Sequence, residues 1–537
     1  MQFVFKTPVM QNYPSIFNDV IGPVMRGPSS SHCAASLRIG RLCRDLMDGQ
    51  LSHILIEFDP NGSLATTHKS QGSDMGLFGG FLGWEAYDER LPRAEHFLEL
   101  EGIKVEIEIH DIGADHPNTY KLTLSNREEC HRLTAISTGG GMIEVLEIDG
   151  NKVSMGGDSY ETLIYCDYPG NVIPFLQRTI GYDEISWKDG ADSGSGFVEL
   201  KAQQFPDEGL TRELRELEEV KYVKKLSPVL PVLSRKDLHV PFITCEEMMA
   251  YNGERHLGLW ELAVAYERER GNIPAGEVFE KMRSIVRIMK NAIQLGLRGT
   301  TYADRILGSQ SVQLRQKLEQ KALLGGDINN IIIMYVSSMM EVKSSMGVIV
   351  AAPTAGSCGA LPGAIIGMAD ALGLPEDEVV KAMLAAGLIG VFVAAHATFA
   401  AEVGGCMAET GSGSGMAAAG LVVMAGGSLE QSLAAASLAL QNSLGLICDP
   451  VGNRVEAPCL GRNVMAASNA VSCANMALSD YNHLIPLDEV IATMQSVGNQ
   501  IHHTLRCTNL GGLSVTKAAK EIEQRLETQP RPFYKIC

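Results

Sequence analysis

The sequence predicts a multidomain α+β protein, in which two domains that contain β-strands precede a largely all-α C-terminal domain. Three observations lead to this prediction. The chain has 537 residues, which is too long for a single hydrophobic core. A compact series of strand and helix patterns lies in its middle, and long helical patterns follow to the end. We expect the domains to span residues 1–155, 158–233 and 242–537.

The first domain combines strand-like runs with glycine-rich loops. His53–Phe58 is a strand-like apolar run, and the alternation over residues 105–109 is typical of a half-exposed strand. The loop 21–32 is rich in glycine, proline and serine, and a helical pattern over 34–46 follows it. Such a loop presents backbone N–H groups and hydroxyls to an anion where the helix begins.

The second domain follows a βαββαβ order. The predicted strands are 161–165, 184–187, 196–201 and 220–226, and the predicted helices are 171–180 and 210–219. The Asp167-Tyr168-Pro169-Gly170 turn precedes the first helix. This order and turn resemble the ACT family of small regulatory domains, a ferredoxin-like fold. The resemblance implies pairing of two copies and an amino-acid effector, while a structural module that only dimerises is the alternative.

The third domain begins after a polar, proline-bearing linker at residues 234–241. Helical patterns cover 261–270, 276–294, 368–374 and 417–424, and the high alanine and glycine content lets helices pack closely. The apolar stretch 382–395 is short for a membrane span, since His396 and Glu402 follow it. We expect a helix buried on all sides.

Charge and cysteine content narrow the range of partners. The formal net charge of -18 works against binding to nucleic acid or to an anionic membrane surface. Twelve cysteines are too few for a disulfide scaffold in a chain of this length, and the N-terminus lacks the pattern of a signal peptide. We therefore expect a cytoplasmic protein with reduced thiols and a small polar ligand.

Two features of the third domain suggest chemistry. Cys406, Cys448 and Cys459 lie in its most apolar and glycine-rich part, although their spacing alone does not distinguish ligands from buried thiols. The segment 350–363 reads as an extended entry, a turn rich in hydroxyls and glycine, and a helix start. Such a turn suits a carboxylate or a phosphate, but glycine in a turn more often serves the backbone alone.

A series of motifs resembles the iron–sulfur L-serine dehydratases. The motifs are Gly27-Pro28-Ser29-Ser30-Ser31-His32, His116-Pro117-Asn118-Thr119, Pro353-Thr354-Ala355-Gly356-Ser357, Gly404-Gly405-Cys406, the segment 444–451, Pro458-Cys459 with Arg462-Asn463, and Ala467-Ser468-Asn469-Ala470. They occur in the order of the family's β segment, ACT segment and α segment, from about residue 16 to residue 526. The resemblance thus implies a serine-dehydratase β-type domain, an ACT-like domain and an α-type catalytic domain.

The resemblance implies a [4Fe–4S] cluster held by Cys406, Cys448 and Cys459. Three thiolates leave one iron of a cubane without a protein ligand, and that iron can act as a Lewis acid on a hydroxyl group. Zinc is the rival metal, but it would need a fourth ligand to close its site. In some single-chain relatives a C-terminal cysteine occupies the open iron, which makes Cys537 a candidate for a displaceable fourth ligand.

The same resemblance assigns the other roles. His32 is the candidate base for the Cα proton, and an unperturbed histidine pKa of about 6.5 would leave a neutral fraction to accept it. Ser29, Ser30 and Ser31, together with Asn118, are candidates for substrate binding. The turn Pro353, Thr354, Ala355 and Gly356 would approach the substrate from the third domain. No lysine is convincingly placed for a Schiff base, and Lys343 is expected to be a surface charge.

These assignments imply an L-serine ammonia-lyase that releases pyruvate and ammonia without pyridoxal phosphate. Departures from the family pattern at residues 33–36, 301–311 and 505–513 leave threonine or another β-substituted amino acid open as the substrate. The alternative from another class is an amino-acid sensor without turnover. We expect a homodimer, with the amino-acid substrate and a possible amino-acid effector as small-molecule partners.

Overall fold

The structure is a computed structural model that describes residues 13–189 and 196–528. It is a mixed α/β protein with several domains and a helical C-terminal region. The strands are β1 (Val24–Met25), β2 (His53–Phe58), β3 (Lys104–Ile109), β4 (Thr119–Ser125), β5 (Cys130–Gly139), β6 (Met142–Ile148), β7 (Asn151–Met155), β8 (Tyr160–Cys166), β9 (Glu184–Lys188), β10 (Gly196–Ala202), β11 (Val220–Leu226) and β12 (Ile349–Val350). Helices α1 to α6 are Ala35–Leu46, Leu64–Thr67, Ser73–Phe81, Ala94–Leu100, Val172–Thr179 and Glu208–Arg215.

The remaining helices all follow the second sheet. In order, α7 to α19 are Cys245–Asn252, Leu259–Gly271, Ala275–Arg298, Ser311–Glu319, Asp327–Ser344, Ala360–Leu372, Glu376–His396, Ala401–Gly404, Ser412–Met424, Leu429–Gln441, Cys459–Leu478, Leu487–Gln500 and Lys517–Thr528. Short π-helical turns at Ile16–Val20, Ser30–Ala34 and Met407–Gly411 add to them. The helical patterns predicted from the sequence are present, although the one predicted at 368–374 is the end of a helix that begins at Ala360.

The first domain is built on a six-stranded sheet in the order β3-β2-β4-β5-β6-β7. Only the β2–β3 pair is parallel. Edge strand β3 is partly exposed, as predicted, but its exposure does not alternate, because the apolar Ile109 is exposed. Helix α1 packs against this sheet and against α3, and Gly40 on α1 lies against Gly80 on α3.

The second sheet has the order β11-β8-β10-β9, with every pair antiparallel. The four strands and two helices predicted between residues 158 and 233 are all present, in a ferredoxin-like order. Tyr165 and Phe197 join the hydrophobic core of the first domain. The Lys224 ammonium forms ion pairs across this contact with Asp48 and Glu129.

The third domain surrounds helix α13. Its residues from Ala382 to Val393 are buried, as the apolar stretch 382–395 predicts. By length and composition alone this helix could cross a membrane, but 78% of its most apolar window is buried inside the protein. The helix is therefore a core element packed against α8, α9 and α15.

The start of the chain is part of the third domain's core. Ile16 and Val20 pack against Gly387 and Gly390 of α13. The backbone N–H of Ile16 donates to the buried Glu267 carboxylate over 2.8 Å. Residues 13–25 thus link the first domain to the helical one.

A two-stranded antiparallel sheet completes this link. Strand β1 pairs with β12 through Val24 opposite Val350 and Met25 opposite Ile349. The backbone N–H of Gly22 donates to the Ala351 carbonyl over 2.9 Å, and the N–H of Ala351 donates to Pro23 over 3.1 Å. Because loop 27–32 follows β1 and loop 353–356 follows β12, this pairing brings the two loops together.

The contact between α1 and α3 provides a test of the packing. A Cβ added to Gly40 would lie 2.5 Å from the Leu77 carbonyl oxygen and 3.0 Å from the Gly80 Cα. We expect Gly40→Ala to lower the free energy of unfolding by about 1–3 kcal/mol in urea denaturation, because the helices must separate. Gly276→Ala is the control, since that glycine is exposed in α9 with no atom within 4 Å of an added Cβ. Equal stability of the two variants would contradict this packing.

Candidate active site

Two loops from different domains meet at the candidate site. The Ser30 hydroxyl accepts a hydrogen bond from the Ala355 N–H over 3.2 Å. One hydroxyl of the loop that was predicted to bind an anion therefore binds a backbone N–H of the third domain instead.

His32 is fully buried, and its two ring nitrogens have different partners. Nε2 lies 2.8 Å from the Thr67 hydroxyl, and Nδ1 lies 2.9 Å from the Ser29 hydroxyl. The Thr67 hydroxyl donates its one proton to the Ser63 carbonyl over 2.6 Å. It therefore accepts from His32, which places the imidazole proton on Nε2 and leaves Nδ1 as the basic atom.

Burial changes the acid–base behaviour expected for His32. Desolvation, with a contribution from the nearby His68, lowers the pKa of His32 to about 3. The pKa thus lies below the unperturbed value of about 6.5. His32 is almost entirely neutral at physiological pH, so the neutral form expected from the sequence is available.

Glu402 faces the basic atom of His32. Its Oε1 lies 3.6 Å from Nδ1, and burial raises the pKa of its carboxyl group. The Asn118 amide lies close enough to oppose this rise. The carboxamide of Asn118 is fully buried, and within the described residues neither its nitrogen nor its oxygen has a hydrogen-bond partner of good geometry. Glu402 Oε2 is also buried without such a partner. Unpaired buried polar atoms are costly, so this corner is suited to a polar ligand.

The three predicted cluster cysteines come together from separate elements. Cys406 follows α14, Cys459 begins α17, and Cys448 lies in an extended segment bridged to Arg506. All three are free and almost fully buried. The Cys406 thiol is within hydrogen-bonding reach of Cys448.

Arg462 stabilises the thiolate form of Cys406. Hydrogen bonding with Cys448 lowers the pKa of Cys406 to about 7 against the effect of burial, and the Arg462 guanidinium adds to this effect. Arg462 Nη1 donates to Cys406 Sγ over 3.4 Å, while Nη2 donates to Asp449 over 2.5 Å. By contrast, burial and the neighbouring Cys406 raise the pKa of Cys459.

One pocket connects the thiols to the histidine corner. It is lined by Ser29, Gln71, Gly356, Ala401, Glu402, Glu409, Cys448, Pro450, Val455, Cys459 and Cys507. Four of these eleven lining residues were predicted from the sequence as site residues, namely Ser29, Gly356, Cys448 and Cys459. Sequence reasoning gave no role in the site to Gln71, Glu402 or Glu409.

Glu409 anchors the turn of the third domain. Its Oε1 accepts from the Thr354 hydroxyl over 2.7 Å, and a Cβ on Gly356 would lie 3.0 Å from both carboxylate oxygens. Burial raises the pKa of Glu409 well above its usual value, and the charge of Lys343 opposes this rise. Lys343 is fully buried and donates to the Val455 carbonyl, so its expected surface position is wrong.

The other predicted residues have smaller or undescribed roles. Ser31 and Pro353 are buried beside the meeting loops but do not line the pocket. Cys537 lies outside the described residues.

The donor set fits an iron–sulfur cluster better than a single metal ion. Within the described residues, no three histidine, cysteine, aspartate or glutamate side chains converge closely enough to hold one ion. Free thiols that share one pocket wall are the donors that iron–sulfur clusters use, one thiolate to each iron. Cys448 and Cys459 line the pocket and Cys406 contacts Cys448, so these three thiols fit the larger cofactor.

The fold and the site define a multidomain α/β protein with a buried histidine and thiols around one pocket. A family model described as serine dehydratase alpha chain matches residues 254–514. The probable L-serine dehydratase alpha chain of Bacillus subtilis (strain 168) is 36% identical over 285 residues, which cover 53% of this chain and 95% of the relative. This chain therefore belongs to the L-serine dehydratase family.

Two further relatives extend the similarity. The probable L-serine dehydratase beta chain of Bacillus subtilis (strain 168) is 39% identical over 184 residues, 33% of this chain and 82% of the relative. L-serine dehydratase TdcG of Escherichia coli (strain K12) is 28% identical over 505 residues, 91% of this chain and 96% of the relative. The chain thus resembles both kinds of subunit and a relative of nearly the same extent.

The lowered pKa of His32 gives a direct prediction. In the folded protein, histidine side-chain NMR should show the His32 ring neutral from pH 8 to pH 5, because its pKa is about 3. In urea the same ring should titrate near about 6.5. Since only the unfolded state binds this proton, His32 lowers stability as the pH falls from 6.5 towards 3. His32→Asn identifies the signal, and protonation of the folded ring above pH 5 would contradict the assignment.

Proposed function

We propose that this protein is an L-serine dehydratase that converts L-serine to pyruvate and ammonia with a [4Fe–4S] cluster. The observation that carries the proposal is the pocket in which Ser29 and Glu402, both beside Nδ1 of His32, share walls with Cys448 and Cys459. Dehydration of a β-hydroxy amino acid needs both a base for the Cα proton and an electrophile for the hydroxyl group. Family membership supports serine as the substrate.

Cys406, Cys448 and Cys459 would hold the cluster, which supplies a Lewis acid to assist departure of the β-hydroxyl group when bound. Arg462 supports this role because it donates to Cys406 Sγ and so favours the thiolate. The Asp449 carboxylate fixes the guanidinium in place and also accepts the N–H of Leu513 over 2.7 Å. Arg462, on the helix of Cys459, thus connects through hydrogen bonds the segments that carry Cys406 and Cys448.

The histidine corner would bind the charged end of the amino acid. The unpaired Asn118 amide can donate to a carboxylate, and the unpaired oxygen of Glu402 can accept from an ammonium group. Ser29 offers a further hydroxyl at the pocket wall. These groups would orient the Cα–H bond towards His32 Nδ1.

His32 would then take the Cα proton on Nδ1. The hydrogen bond from Nε2 to Thr67 fixes the tautomer that makes this possible. Glu402, at 3.6 Å, can stabilise the imidazolium that forms. A base with a pKa of about 3 is weak in the resting enzyme, so this carboxylate and the bound substrate must raise its proton affinity during the reaction.

Loss of the proton and the hydroxide leaves 2-aminoacrylate and water. The enamine tautomerises to an imine, and hydrolysis of the imine gives pyruvate and ammonia. The buried pocket keeps bulk water away until elimination is complete.

The second domain is proposed to be an ACT-like regulatory unit in a homodimer. Its ferredoxin-like strand order supports this proposal. An amino-acid effector and a cytoplasmic location belong to the same proposal.

Anaerobic assays test the activity. Protein purified without oxygen should be brown, contain iron and sulfide, and release pyruvate from L-serine, with threonine and cysteine assayed beside it. Cys448→Ala should lose both colour and turnover, because a cluster ligand is gone. Cys130→Ser is the control, since Cys130 is exposed on β5, away from the pocket. Protein with a full cluster that releases no 2-oxoacid from any β-hydroxy amino acid would exclude the proposal.

A second variant tests the base. His32→Asn should lower kcat by about 10²–10⁴-fold, the usual contribution of general base catalysis, without changing the iron content. The exposed His96 on α4 supplies the control variant, His96→Asn, which should retain full activity. A His32→Asn enzyme with unchanged kcat would remove His32 from the mechanism.

A further inference from the structure

We infer that Lys224 of the second domain is a positioning residue for catalysis, which sets the placement of His32 and Asn118 through helix α1 and strand β4. The inference rests on the proposed function, because that function gives these two side chains their roles. It concerns a contact outside the pocket, where edge strand β11 meets the first domain.

Helix α1 and strand β4 each join the site to the second domain. His32 lies in the π-helical turn Ser30–Ala34, which runs directly into α1, and Asn118 immediately precedes β4. The far ends of these elements are the loop after α1 and the β4–β5 turn at residues 126–129. Helix α1 spans 12 residues, about 18 Å, and β4 spans 7 residues, about 23 Å. Because both elements are hydrogen-bonded along their length, a shift at the far ends would move both side chains.

Strand β11 and the residue that follows it hold both far ends. The Lys224 ammonium donates to Asp48 over 2.8 Å and to the two carboxylate oxygens of Glu129 over 2.9 and 2.7 Å. The Ser227 N–H donates to Asp45, in the last turn of α1, over 2.7 Å. The Lys224 side chain is 3% exposed, so its charge is compensated by these carboxylates rather than by water. One buried ammonium thus connects the end of α1 to the β4–β5 turn.

The end of α1 also needs a positive charge. The C-terminal end of a helix carries partial negative charge, which makes acidic side chains there unfavourable. Asp45 lies in the last turn of α1 and Asp48 just beyond it, while the basic residue of that turn, Arg44, donates to the Phe81 carbonyl. Within the described residues, Lys224 is the only cation that forms an ion pair with either carboxylate. The second domain therefore supplies the charge that stabilises this helix end.

Steady-state kinetics and histidine NMR of the full-length protein, loaded anaerobically with iron and sulfide, provide the test. Lys224→Met removes the ammonium but keeps an unbranched side chain, and Lys224→Arg restores the charge. Lys221→Met is the matched control, because Lys221 lies exposed on the same strand and pairs with Asp167 of its own domain. A loss of folded enzyme lowers the apparent kcat at constant KM, whereas misplaced binding and base groups change KM and kcat together.

We expect Lys224→Met to lower kcat by about 10–100-fold and to raise KM for L-serine severalfold, because a displacement of about 1 Å can cost about a hundredfold in rate. The ring signal of His32 should shift as well. The iron content should stay unchanged, since the proposed ligands belong to the third domain. Lys224→Arg should recover most of the loss, and Lys221→Met should match the unsubstituted protein.

Unchanged KM, kcat and His32 signal in Lys224→Met would overturn the inference and leave the proposed function intact. A lower kcat at constant KM with an unshifted His32 signal, or equal changes in Lys221→Met, would overturn it too, because either result indicates a general loss of stability. If Lys224→Met does not fold, Glu129→Gln weakens the same ion pair from its partly exposed side and is judged by the same criteria. Unsubstituted protein with a full cluster but no 2-oxoacid release would reject the proposed function, and the His32 signal would then decide the inference alone.

Discussion

The short pairing of β1 with β12 is the constraint on which the site depends. These two-residue strands are separated by more than half of the chain, yet they place loop 27–32 against loop 353–356. So short a ladder is not stable by itself. It is held because residues 16–25 are buried in the core of the helical domain, where Ile16 and Val20 fit against glycines of α13. The hydrophobic core thereby fixes the position of a catalytic loop.

Burial then sets the chemistry of the groups that the pairing brings together. The same desolvation lowers the pKa of His32 and raises the pKa values of Glu402 and Glu409. Each of these shifts opposes the charged form of its group. Lys343 is also fully buried, and its proximity opposes the rise in the pKa of Glu409.

Local patterns made much of the fold predictable. The βαββαβ order and nearly all of its bounds follow from alternation, helix starts and the Tyr168-Pro169-Gly170 turn, because these signals act over a few residues. The motifs also singled out Ser29, Cys448 and Cys459, which line one pocket. The contacts of Glu402, Gln71 and Cys507 were not predictable, since they join parts of the chain that only the tertiary fold brings together. The low pKa of His32 was not predictable either, because it depends on burial, which is a property of the whole structure.

The division of the site between two cores has a mechanistic consequence. His32 and Asn118 belong to the first domain's side, whereas the cysteines proposed to hold the cluster are fixed by helices and loops of the third. Proton removal and hydroxyl departure must occur on adjacent carbons of one substrate, so the separation of the two halves sets the reaction geometry. A displacement of about 1 Å between such groups can cost about a hundredfold in rate. The contacts across the boundary, Ser30 with Ala355, Gln71 with Cys507 and Asn453 with Thr66, are therefore as important to catalysis as the reacting groups that they align.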